Sequence, residues 1–159
     1  MKRTKVVFIV VTSILCSLLL LSACSKNKDE FNFIFSYGVY NKNELNTFTN
    51  KYTKDLVNDG TVTTKLTLTK EEKEKIFNCM TEIRIKDYQG INHGLEFEPE
   101  SGYSLEIQLK EEGIKVIWKG GFKDEQKDEN FKKLTTLIQG IIESHDEYKK
   151  LPNANGGYL

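Results

Sequence analysis

The chain has 159 residues, 38% of them hydrophobic and 29% charged, which suits one domain with a packed core and excludes global disorder. Basic and acidic side chains balance at 23 each, and removal of Lys2, Arg3 and Lys5 with a leader would leave 20 (23 less three) basic groups, a net of −3. That balance argues against a nucleic-acid ligand, which calls for a basic stripe to neutralise phosphates.

The chain begins "MKRTK", followed by the apolar run Val6 to Leu21. A basic end before a hydrophobic stretch is the layout of an export signal, because the cations stay in the cytoplasm while the apolar run enters the bilayer. As a helix the run would span about 24 Å, short of the roughly 30 Å hydrocarbon core, so a removed signal fits better than a permanent membrane span. The tetrad Leu21-Ser22-Ala23-Cys24 then closes the run. It resembles the lipobox of bacterial lipoproteins. The resemblance implies cleavage between Ala23 and Cys24, with diacylglyceryl and acyl chains on Cys24 as the membrane partner. It also implies a location on the extracytoplasmic face of the cell membrane; the polar tether and the composition, separately, suggest an envelope of Gram-positive type. The chemistry suits the order of residues: a thiolate is the nucleophile, small neighbours admit an enzyme, and two acyl chains anchor durably where one holds only marginally. Ordinary secretory cleavage at a small-x-small site is the alternative, and bulky Leu21 counts against a cut of that kind after Ala23. Of the three cysteines, Cys16 falls in the leader and Cys24 at its end, which leaves Cys79 without a disulfide partner.

The expected organisation is a signal peptide over 1–23, a polar tether with the lipidated cysteine over 24–30, a single domain over 31–151 and a flexible tail over 152–159. "FNFIFSYGVY", Phe31 to Tyr40, has the aromatic and β-branched content of a strand, with Phe33, Phe35 and Tyr37 on one face. "NKNELNT" is polar and reads as a loop. Tyr52 to Val57 and Thr61 to Leu68 form a hairpin about Asn58-Asp59-Gly60, since Asp-Gly tolerates the positive φ of tight turns. At Thr69 the period changes. Thr69 and Glu72 make a capping box, and Ile76, Met80 and Ile83 share one helical face with Phe77 beside them. After the loop "KDYQGINHG", "SGYSLEIQLK" and "IKVIWKG" form a second hairpin joined through Glu111-Glu112-Gly113. Finally Phe131, Leu134, Leu137, Ile138, Ile141 and Ile142 recur at helical spacing until Pro152, after which "NANGGYL" is expected to fray. Strand, hairpin, helix, hairpin, helix predicts an α+β domain: a small antiparallel sheet of two hairpins with two helices packed on one face.

No catalytic, cofactor-binding or metal-binding set emerges from the motifs, and Cys24 is the one site residue they assign, as the point of lipid attachment. His93 with Glu96, Glu98 and Glu100 is the nearest approach to acid–base or metal chemistry, but one histidine beside loop glutamates has no recognised ligand spacing, and a solvated loop explains it. His145 suits a structural place at a helix C-terminus, and Cys79 a small core thiol, because no Cys-x-x-Cys pair lowers its pKa. Gly120-Gly121 reads as turn geometry, and the Phe31–Tyr40 aromatics as core. The functional expectation is a membrane-anchored lipoprotein with a non-catalytic binding domain. The alternatives are a small envelope enzyme using His93 and its glutamates, and an inhibitor or immunity-type lipoprotein presenting an apolar sheet face.

Overall fold

The computed structural model describes residues 31–123 and 125–158. They hold strands β1 (Phe31–Val39), β2 (Asn43–Asn46), β3 (Lys51–Asp55), β4 (Thr61–Lys65), β5 (Gly90–His93), β6 (Ser101–Leu109) and β7 (Glu112–Lys119). The helices are α1 (Lys70–Glu82), α2 (Gln126–Ser144) and the single turn α3 (Asp146–Lys149), with a 3₁₀ turn at Ile85–Tyr88. All strands join one sheet in the order β4-β3-β2-β1-β6-β7-β5, antiparallel throughout except that β5 runs parallel to β7. The class is α+β, but the expected small sheet of two hairpins is overturned: the sheet is mixed, with seven strands.

The two unforeseen strands have clear physical causes. In β2, Asn-Glu-Leu-Asn reads as loop, yet Leu45 is fully buried and the strand is held between β1 and β3. β5 is only Gly-Ile-Asn-His and pairs with Val116–Lys119, more than twenty residues downstream, a partner that local composition cannot announce. Between the hairpins, β1 supplies the join by pairing with β6 over its full length, from Phe31 opposite Leu109 to Val39 opposite Ser101. The β6–β7 turn also falls earlier than Glu111-Glu112-Gly113. Leu109 pairs with Glu112, so Lys110 and Glu111 make the reversal and Gly113 lies inside β7 opposite Gln108.

One face of the sheet is apolar, and the helices cover it. Phe31, Phe33, Phe35, Leu45, Tyr52, Leu105, Val116 and Trp118 share a core with Ile76 and Met80 of α1 and Phe131, Leu134, Ile138 and Ile142 of α2. Helices on one face were expected, and the period-2 and period-3.6 patterns account for it. The helices run antiparallel, because Glu72 meets His145 at one end while Glu82 meets Lys133 at the other. The opposite face is polar: Thr53 bonds Thr63 across β3 and β4, and Lys115 pairs with Glu106 across β7 and β6. The capping box forms as read, with Glu72 N–H donating to Thr69 Oγ1 and Thr69 N–H to Glu72 Oε2. Among the described residues the buried core lies between Phe31 and Ile142, within one compact unit.

The residues after Pro152 were expected to fray, yet they are tied back to the β3–β4 turn. Asn155 N–H donates to Leu56 O, Asn58 N–H donates to Asn155 O, and Tyr158 Oη donates to Asp55 Oδ2 at 2.6 Å. Lys42 completes the fastening, with Nζ 2.8 Å from Tyr158 Oη and 4.7 Å from the centre of its ring. Each of these four contacts joins residues about a hundred positions apart, so no local pattern foretells them.

Candidate functional site

Cys24, the one site residue that the motifs assign, lies outside the described residues. Among the described residues, the sequence-based candidates fall in three separate places.

His93 closes β5 and is exposed. It lines a shallow depression of about 250 Å³ with Glu96, Glu98, Glu100, Ser101 and Lys119. The three glutamates do gather beside the histidine. The His93 side chain makes no hydrogen bond or ion pair, however, and Ser101 is not bonded to it, so no nucleophile–base couple exists here. Lys119 Nζ lies 3.9 Å from Glu100, too exposed on both sides to be worth much. No group of three His, Cys, Asp or Glu side chains among the described residues is placed to hold a metal ion. Chemically the depression offers an acidic, solvated rim.

What surrounds that rim is apolar and exposed. Ile91 on β5 is 58% exposed, and Leu95 and Phe97 in the following loop are 48% and 53% exposed. β5 is an edge strand whose outer side has no strand partner among the described residues. Ile91 sits opposite Ile117 in the register, and Ile117 lines a second depression with Tyr40, itself 57% exposed. The loop is held down by its backbone: Gly94 N–H donates to Lys119 O, Leu95 N–H to Gly121 O, and Gly121 N–H to Leu95 O. Here the glycines have a purpose beyond turning. A Cβ on Gly94 would stand 1.7 Å from Gly121 O, and one on Gly120, at φ +79°, 1.8 Å from Leu95 O. Gly120-Gly121 thus permits a close backbone approach, where the sequence suggested only a turn. Local composition masked the exposed apolar set, since "LEFEPE" draws attention to its acids; the signal was the Leu and Phe interleaved with them.

His145 and Cys79 are structural. His145 Nε2 lies 3.1 Å from both oxygens of Glu72, so one carboxylate serves the capping box of α1 and clamps the end of α2. Cys79 lies on the buried face of α1, and burial pushes its thiol up from the ordinary range, away from reactivity.

A buried hydroxyl pair went unforeseen: Tyr37 Oη and Tyr52 Oη are 2.8 Å apart beneath the helices. Burial pushes the Tyr37 hydroxyl up to about 12, and burial, then the neighbouring Tyr37, pushes Tyr52 up as well. In the unfolded chain both would titrate near 10. The folded state holds these protons more tightly, so the pair's contribution is fully present below about pH 10 and is lost as pH rises toward about 12. The urea midpoint should fall across that alkaline window, and Tyr52→Phe should flatten the fall. An unchanged slope in Tyr52→Phe would show that other groups govern it.

With this geometry in view, comparison with known proteins adds no relative: no family model matches the chain, and no curated protein is similar to it.

Proposed function

We propose that the chain is a lipoprotein anchored through acyl chains on Cys24 at the extracytoplasmic face of the cell membrane. Its α+β domain is a non-catalytic module that binds another envelope protein. The observation that carries the second part is the exposed apolar set Ile91, Leu95 and Phe97 around the β5 edge. Large apolar side chains grouped at an edge strand mark interaction surfaces more often than sites of chemistry. Position supports the same reading. Phe31, where the tether would enter, pairs at the Leu109 end of β6, while the 94–100 loop lies at the Ser101 end, about 26 Å away along the strands. An anchored domain would therefore present this surface outward. With Glu96, Glu98 and Glu100 at its rim, it suits a partner with an apolar centre and a basic border.

A photo-crosslinking residue in place of Phe97 in the membrane-anchored protein should yield one discrete adduct, and the same residue in place of Thr63, on the opposite edge strand, none. Adding Ile91→Glu should cut the adduct by about tenfold or more, as loss of a central apolar anchor does. Equal adducts at 97 and 63, or indifference to Ile91→Glu, would sink the reading. The enzyme alternative draws on the gathering of His93 with three glutamates; it requires that His93→Ala abolish a turnover that Ile91→Glu leaves intact.

A further inference from the structure

The opposite end of the domain, where the chain enters, has features that partner binding does not use. The last turn of α1, the 3₁₀ turn and the first residue of β1 enclose a groove of about 370 Å³, its floor made by Phe31, Phe77, Met80, Ile85 and Leu109. At the same end but on the other face of the sheet, Phe48 of the β2–β3 turn is 50% exposed beside Ile34, Glu106 and Lys115, and Thr47 next to it is fixed by Thr47 N–H donating to Phe33 O. Cations crowd here too. Lys51 and Lys65 stand directly opposite each other between β3 and β4, both exposed, an arrangement that repels unless an anion lies against it. Lys110 shares the tip of the β6–β7 turn with Glu111. Two of the local acids are already neutralised, Asp87 by Arg84 and Glu112 by Lys86, each at 2.6 Å.

We propose that this end of the domain rests on an anionic lipid surface, with Phe48 and the rim of the groove inserted at the boundary of headgroups and acyl chains. Lys51, Lys65 and Lys110 then face lipid phosphates. The inference rests on the anchor at Cys24 and adds an orientation to it. Chain geometry makes the lipid the natural occupant: from Cys24 to Phe31 the backbone reaches at most about 25 Å, so a groove that Phe31 itself lines never leaves the vicinity of the bilayer. An exposed aromatic with flanking lysines is the pairing that interfacial lipid contact rewards.

The test uses the full-length lipidated protein in vesicles of phosphatidylcholine and phosphatidylglycerol whose acyl chains are brominated near the headgroup. Tryptophan is placed by Phe48→Trp at the proposed contact, and by Tyr40→Trp at the far end; buried Trp118 is a background common to both. Bromination should lower the emission of the Phe48→Trp protein by roughly a third or more and leave the Tyr40→Trp protein unchanged. Vesicle-bound protein with equal quenching at both positions, or none at either, overturns the docking while the anchor stands. Protein that fails to float with the vesicles overturns the anchor and the docking together.

Discussion

Phe131→Ala should destabilise the domain by about 4 kcal/mol, within the range for losing a buried aromatic ring and leaving its cavity. Phe131 is fully buried at the point where α2 meets the β6–β7 arm. Its ring stacks on Trp118 at 4.9 Å and on Tyr88 at 5.6 Å, and meets Tyr103 edge-on at 6.2 Å. Those neighbours cannot all close on the void. Trp118 is held by Nε1 donating to Gly121 O, and Tyr88 by its hydroxyl donating to Lys127 O. The cost therefore combines the transfer energy of the ring with a cavity that survives. With a urea slope of about 2 kcal/mol per molar, the midpoint should drop by roughly 2 M, while Phe131→Leu, which refills part of the space, should lose less than half as much. A shift of Phe131→Ala under about 1 kcal/mol would mean that the aromatic cluster is not the keystone of the helix–sheet interface.

The same residue illustrates how far the sequence reaches. Phe131 was legible as core because Leu134, Ile138 and Ile142 repeat its helical face, a signal contained within one element. β3 and β4 were legible through Asp59-Gly60, and α1 through Thr69 and Glu72, for the same reason: the partners lie close in sequence. Signals fail where the stabilising partner is remote. Leu45 becomes core only because β1 and β3 flank it, and Ile91 becomes part of a strand only because Val116 to Lys119 lie alongside. His145 showed as a helix-end residue, but nothing near it named Glu72, 73 positions away, as its partner. At the candidate surface the omission was of apolar side chains. His93 and the glutamates read as a solvated loop, and the exposed Leu95 and Phe97 between them, which the fold leaves available for contact, went unweighed.

Cys24→Ala should abolish acyl labelling and leave the precursor uncut. Lipid transfer requires a thiolate nucleophile, which alanine lacks, and in the lipoprotein class that the tetrad resembles, cleavage awaits the lipid. Simple loss from the membrane is a poor readout. The uncleaved apolar run Val6 to Leu21 would still hold the precursor in the bilayer, so fractionation would look similar for both proteins. Labelling and mass separate them. The normal chain should incorporate labelled fatty acid and have the mass of residues 24–159 plus lipid, while Cys24→Ala should keep the mass of all 159 residues without label. Cys16→Ala and Cys79→Ala should label normally, since the first residue would be discarded with the leader and the second is buried in the core. Because Cys24 supplies the only thiol that would start lipid transfer, the difference in labelling should be all or none. Equal labelling of Cys24→Ala and the normal chain refutes the anchor. A Cys24→Ala chain that is shortened but unlabelled would instead assign the segment to ordinary secretory cleavage and set the domain free of the membrane.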